Sequence, residues 1–351
     1  MRTFCLFLLI VLFTTFGFPG ENIPRPLPLS LSLSDLRNPE KIFVHGDRLY
    51  ITEFPIVYIY SLTDFRLVKK FGRSGEGPQE FRRQIHLSVQ PGYIMVQSIG
   101  KVSFFTTGGD FKKEFKSPYV FRVGKAFGDR LAIAKAITEP DTKIFYLTVN
   151  ICRHDFSRLK EIYRVKHFFQ DGKPTNAVYL GRGNLGRRMS PLFYPYGDRI
   201  FIEADHGETG TIDVVNGDGK KQFSITHDYE KLEFTKEHKK EAVDFFIRIR
   251  SGIYRILNER KLIFYPDYFP AIRMFHIADD NVYVVPYKKK EGKSEMHIFN
   301  TGGKFLETVL VDLAEENIFE FYPYAIGNGK IYQLIENPDT ETWELVVKAL
   351  H

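Results

Sequence analysis

A tight turn followed by an apolar strand recurs along this chain, and that recurrence constrains the fold more than any other feature of the sequence. It occurs as Gly46-Asp47-Arg48-Leu49-Tyr50-Ile51, Pro91-Gly92-Tyr93-Ile94-Met95-Val96 and Gly128-Asp129-Arg130-Leu131-Ala132-Ile133. It returns as Gly197-Asp198-Arg199-Ile200-Phe201-Ile202, Asp279-Asp280-Asn281-Val282-Tyr283-Val284 and Asn328-Gly329-Lys330-Ile331-Tyr332-Gln333. Gly, Asp and Asn supply the backbone that a hairpin turn needs, and the apolar run supplies the strand. A second strand–turn–strand unit follows, clearest at Ser103–Phe111, Ile212–Lys220 and His297–Phe305, with the same layout at Tyr58–Phe71 and Tyr146–Ile162. Each repeat therefore reads as a four-stranded antiparallel sheet. Six of them make an all-β, six-bladed β-propeller.

The last repeat runs out of chain after Trp343–Leu350. Residues 27–33 alternate apolar and polar with period two, the pattern of a half-buried strand. They are expected to supply the missing strand and close the ring. Between blades 4 and 5 lies a helical insertion, about 235–257. Thr235 is placed to cap it, and Ala242, Val243, Phe245, Phe246, Ile249, Ile253, Ile256 and Leu257 recur at helical spacing.

Residues 1–20 read as a secretory signal. Arg2 precedes an apolar run from Phe4 to Phe13, and Thr15-Phe16-Gly17 resembles a cleavage site. The run is shorter than the roughly 20 residues of a membrane span, and no later segment is a transmembrane candidate. Retention of the segment as an anchor stays open. The expected location is outside the cytoplasm, periplasmic or extracellular, with residues 21–351 forming one propeller domain. Loss of Arg2 lowers the net charge from +6 to +5, with basic and acidic residues interspersed, so nucleic acid is not an expected partner. Cys152 alone would remain, which permits neither an internal disulfide nor a cysteine zinc cluster.

The crossover Phe71-Gly72-Arg73-Ser74-Gly75-Glu76-Gly77-Pro78-Gln79-Glu80-Phe81 resembles an inter-blade signature of bacterial exported six-bladed propellers related to the NHL and TolB-like propellers. Tyr265–Ile272 resembles a second segment of that group. The resemblance covers most of residues 27–351 and implies the fold. It implies no activity, because function resides in sites rather than folds. Physically, Gly72, Gly75 and Gly77 are expected to permit positive φ, Pro78 to fix a turn, and Phe71 and Phe81 to pack on adjoining blades. The backbone amides of the crossover are also a candidate anion nest.

Counting six residues back from each inner turn gives Glu40, Ile85, Arg122, Pro191, Arg273 and Tyr322, with His86 replacing Ile85 if blade 2 slips by one. Glu40, His86, Arg122, Arg273 and Tyr322 are thus the candidate ligand-binding set at the channel mouth. Arginine suits carboxylate or phosphate recognition; inter-blade salt bridging is the competing role. Arg182, Arg187 and Arg188 form a candidate anion-binding loop. Aromatic residues near the blade starts (Phe193, Tyr194 and Tyr196; Tyr265, Tyr268 and Phe269; Phe321, Tyr322 and Tyr324) could stack on sugars or pack blades. No catalytic set emerges: the histidine spacings are not those of a metal pair, and no Gly-x-Ser-x-Gly elbow is present. No cofactor is expected, with calcium at turn residues such as Asn216 and Asp218 left as a candidate. The sequence favours a non-enzymatic binding or scaffolding propeller with a protein partner or a small anionic or carbohydrate ligand. The alternatives are a metal-dependent hydrolase or lyase with its site in the central channel, and a sensing module of a larger assembly.

Overall fold

The computed structural model describes residues 29–118, 123–141, 145–167, 178–179, 192–204, 209–249, 255–256, 258–317 and 319–350. Six antiparallel sheets, each containing the same four-strand unit, form the blades of a propeller. From inner to outer strand, blade 1 is Lys41–His45, Arg48–Glu53, Ile56–Ser61 and Leu67–Phe71. Blade 2 is His86–Gln90, Tyr93–Ser98, Lys101–Phe105 and Phe111–Lys116. Blade 3 is Val123–Phe127, Arg130–Thr138, Phe145–Arg153 and Lys160–His167. Blade 4 is Phe193–Tyr196, Arg199–Glu203, Thr211–Asn216 and Lys221–Thr226. Blade 5 is Met274–Ala278, Asn281–Val285, Lys293–Asn300 and Phe305–Val311, with a short extra strand, Lys289–Lys290. Blade 6 is Tyr324–Gly327, Lys330–Asn337 and Thr342–Ala349, and its outer strand is Leu29–Ser32 from the other end of the chain.

The apolar core is a ring of separate inter-blade clusters. Leu49 and Ile51 pack toward Leu334 and Leu345 of blade 6, whereas Tyr50 between them packs toward Phe81 and Ile94 of blade 2. The same division recurs around the ring. Met95 meets Leu131, Ala132 meets Ile200, Phe201 meets Phe275, and Tyr283 meets Ile326. Successive residues on a strand face opposite ways. With a neighbouring blade on each side, both sets are buried, which is why these strands read as continuous apolar runs. Cys152 belongs to the cluster between blades 2 and 3, and burial pushes its thiol up to about 11.

The hairpin between the third and outer strands carries a register shift in five blades, for example at Phe104/Phe105 and Val214/Val215. Such bulges increase strand twist. The turn glycines Gly109, Gly219 and Gly303 have φ of 85°, 81° and 90°. A side chain there would come within 2.9 Å of Ile59, 2.9 Å of Ile162 and 3.1 Å of Phe223, each on the preceding blade. The repeated glycine is thus required by conformation and by close approach together.

The inner turns are linked as well. Tyr93 Oη donates to Gly128 O (2.6 Å), Tyr196 Oη to Asp280 Oδ1 (2.8 Å), and the Gly329 amide to Asp279 Oδ2 (2.9 Å). Asn328 Nδ2 donates to Gly46 O (3.1 Å), joining blade 6 to blade 1. The helix Lys236–Ile249 is capped by Thr235, whose Oγ1 accepts from the His238 amide (3.4 Å) while its own amide donates to His238 Nδ1 (3.1 Å). Ala242 and Phe245 bury against Phe234, Phe269, Tyr287 and Phe319. Ile256 does not join that stripe and is exposed. Gly252, Ile253 and Leu257 lie outside the described residues, as does the segment read as a signal. No helix among the described residues is long and apolar enough to cross a membrane.

Leu29–Ser32 covers the edge of Thr342–Ala349 in register Leu29↔Val347 to Ser32↔Glu344, and Leu33 buries beyond it. Deleting residues 1–34 is expected to lower stability by at least the roughly 2–5 kcal/mol that one buried leucine contributes. Calorimetry should show a single transition at a lower melting temperature; an unchanged melting curve would count against a closing role.

Candidate functional site

The six inner strands enclose an axial channel of about 2370 Å³. Its wall differs from the set obtained by counting six residues back from each turn. Glu40, His86 and Tyr322 do line it. Ile85 is fully buried in the core between blades 1 and 2, which leaves His86 at the wall. Arg273 does not reach the channel. It is 2% exposed, pairs with Glu315, donates to Asn317 O (3.2 Å), and lies 3.7 Å from the Phe321 ring centroid. Glu315 also pairs with Lys289, so this arginine belongs to a buried strut between blades 5 and 6. Arg122, Arg182, Arg187 and Arg188 lie outside the described residues.

Other wall residues sit five, three or, for Tyr324, four positions before each turn. Lys41 and His86 occupy the fifth position, and Lys125, Tyr194 and His276 the third. Lys41 Nζ is 3.3 Å from His86 Nδ1. An ammonium can only donate, so this nitrogen of His86 accepts and the ring is neutral. Burial pushes the His86 imidazole down to about 4, with the charges of Lys41 and Lys125 adding to the effect. Burial also lowers the Lys41 ammonium, partly offset by neighbouring Glu40. Lys125 is held well below the ordinary lysine range, first by burial and then by Lys41. It has no acidic partner within ion-pair distance among the described residues, and its Nζ lies 3.3 Å from the Tyr194 ring centroid.

Blades 1 to 3 thus contribute a cationic wall. Blades 4 to 6 contribute rings: Tyr194, His276 6.0 Å from it, and Tyr324 4.7 Å from His276. The other aromatic residues divide between tasks. Phe193 and Phe269 are buried in packing clusters, Tyr322 meets Trp343 at 6.0 Å, and Tyr268 is exposed. Acids also reach the wall, with Glu316, Glu320 and Glu336 on the blade 6 side. Among the described residues, no group of three His, Cys, Asp or Glu side chains is arranged to hold a metal ion. Asn216 Oδ1 accepts from the Asp218 and Lys220 amides (3.0 and 2.9 Å), so it caps its own turn.

The glycine-rich crossover is a folded frame. Arg73–Ser74 pairs in parallel with Glu80–Phe81. The Glu80 carboxylate accepts from the Gly77 amide (2.7 Å) and from Arg73 Nε (2.8 Å), so the chain's own acid occupies the nest that an anion would take. Gly72 and Gly75 have φ of 100° and 151°, whereas Gly77 is not among the positive-φ glycines. Gly77 is instead limited by space, since a Cβ there would lie 3.1 Å from Glu80 Oε2. Phe81 is fully buried, while Pro78 is exposed.

No protein-family model matches the chain, and no curated protein matches it. Several solved structures are similar. Kluyveromyces lactis Hsv2p, a β-propeller, is 10% identical over 88% of this chain and 85% of its own, with a TM-score of 0.37. BamB from Moraxella catarrhalis, also a propeller, is 10% identical over 88% and 71%, with a TM-score of 0.32. The Pyrococcus horikoshii acylaminoacyl peptidase is 10% identical over 86% of this chain and 43% of its own, with a TM-score of 0.42. The fold itself rests on the strand pairing described above.

Two outcomes follow for these sites. Gly75→Ala combines an unfavourable φ with a Cβ 2.1 Å from Glu80 Oε2, and is expected to cost roughly 1–3 kcal/mol in urea unfolding. In an NMR titration His86 should change charge near pH 4 rather than 6.5. Lys41→Met should raise that midpoint without restoring it fully, because burial is the larger cause. His227, also near 4 through burial and its neighbour His297, behaves alike. Both folded-state values are depressed. Their contribution to stability is therefore complete above the unfolded value of 6.5 and is lost as pH falls through 4.

Proposed function

We propose that this chain is a non-enzymatic binding or scaffolding propeller acting outside the cytoplasm, and that its axial channel binds a small anionic ligand. The observation that carries the reading is Lys125. A half-buried ammonium without a counter-charge is costly, and Lys41 and His86 stand on the two preceding blades. An entering anion would supply the missing charge and offset the burial that lowers both lysines. Charge-assisted hydrogen bonds of this kind are stronger than neutral ones. The export reading rests on the apolar segment after Arg2, and the family reading on the Phe71–Phe81 crossover. The helical segment between blades 4 and 5 is part of the same proposal, as a brace packed on Phe269 and Phe319.

Anion binding is tested by melting the full chain with acetate, benzoate or phosphate at fixed ionic strength. A saturable rise in melting temperature is expected. Lys125→Met should abolish the rise and, by removing a half-buried amine with no acid beside it among the described residues, increase the melting temperature of the ligand-free protein. Absence of any rise, or a rise that Lys125→Met leaves intact, would overturn the reading. Export predicts that cells producing the full sequence place the protein outside the cytoplasm, shortened by about 20 residues if the segment is cleaved, as mass spectrometry of the fractionated protein would show.

A further inference from the structure

The channel is chemically two-sided. Its basic side comes from three consecutive blades, with Lys41 on the first, the neutral His86 on the second and Lys125 on the third. The charges of both lysines reach His86, and Lys41 acts on Lys125, so the three groups form one cluster rather than three separate contacts. Its ring side comes from the next three blades, with Tyr194, His276 and Tyr324 in succession. Those six residues, one from each inner strand, form a band of the channel wall. The whole channel, at about 2370 Å³, exceeds the roughly 300–1,000 Å³ of a typical small-molecule pocket. A small ligand would therefore occupy this band rather than fill the channel.

Glu316 and Glu320 precede the inner strand of blade 6, on the ring side, and repel an anionic head there; on the opposite side Glu40 stands beside Lys41, which leaves Lys125 as the cation with no acid next to it among the described residues. A simple inorganic anion would use the cationic half alone and leave the rings idle. A neutral ring would use the aromatic half and leave Lys125 without a counter-charge.

Resting on the anion-binding reading above, we infer that the channel recognises a carboxylate carried on a six-membered ring, with the carboxylate at Lys41, His86 and Lys125 and the ring against Tyr194, His276 and Tyr324. An aromatic acid and a sugar acid share this chemistry. Aromatic side chains pack against either kind of ring through apolar contact area, while Lys41 and Lys125 supply rotatable donors that follow the carboxylate.

Calorimetric titration of the full chain at fixed ionic strength tests the inference with 4-hydroxybenzoate, glucuronate, acetate, phenol and glucose as probes. At least one ring acid should bind tenfold or more tightly than acetate, and tighter than its neutral counterpart. The stronger of 4-hydroxybenzoate and glucuronate identifies the aromatic or the sugar source. His276→Leu should reduce the ring acid's advantage several-fold and leave acetate binding unchanged, and His276→Phe should restore it, with melting curves confirming that both variants fold. Equal affinities for acetate and the ring acids would overturn this inference and leave the anion-binding reading standing. No binding of any anion would overturn both. A loss of acetate binding in His276→Leu would also count against the division into two walls.

Discussion

The structure depends on ring closure. Each blade presents two apolar faces, and neither can be buried within the blade that carries it. Tyr50 needs blade 2 and Leu49 needs blade 6, and the same demand passes around the ring. An open arc of six sheets would leave an apolar face at each end. Closure removes both ends at once, through the cluster shared by blades 6 and 1, the Asn328–Gly46 hydrogen bond, and the pairing of Leu29–Ser32 with Thr342–Ala349. The last contact ties residues more than 300 positions apart along the chain. Contacts of such sequence separation are entropically expensive until the intervening chain is ordered. The strand seals a ring whose order comes mainly from neighbouring repeats.

The repeat was legible because its turns are chemically constrained. Gly46, Gly128 and Gly197 adopt φ of 59°, 57° and 59°, and Asp279, Asp280 and Asn328 take positive φ without glycine. Few residue types tolerate that backbone, so the inner turns stand out in the sequence. The same physics explains why the channel wall was not legible. A strand exposed on one face shows an alternation that fixes which residues point where. These strands are covered on both faces, so no alternation survives, and an offset of one residue reverses the facing of every side chain. Counting six back reached Arg273, which turns into a buried ion pair with Glu315, while wall residues lie at offsets that differ from blade to blade, five for His86, three for His276 and four for Tyr324. Lys41 and Lys125 carried one further signal: each is a charged residue within an inner strand.

The crossover shows a different limit. Its glycines were visible, but their reasons differ. Gly72 and Gly75 are required by backbone conformation and close approach together, whereas Gly77 is confined only by the Glu80 carboxylate beside it. The sequence cannot separate those causes, because both select the same residue. Nor could it show that Glu80 folds back onto the Gly77 amide and Arg73. That internal ion turns an apparent anion nest into a latch between blades 1 and 2.

A frame this redundant can carry an unfavourable side chain. The inter-blade clusters distribute stability around the ring, so one half-buried amine in the channel costs a small share of the total. Proteins commonly retain such costs where a site must be ready for a ligand before it arrives. Arg273 is the useful contrast within the same ring. It is a buried cation paired with Glu315, donating to Asn317 O and lying on the Phe321 face, and it does not reach the channel. Lys125 has a ring beneath it and, among the described residues, no acid beside it. On the binding reading, that difference in satisfaction separates the cation that builds the propeller from the cation that it presents.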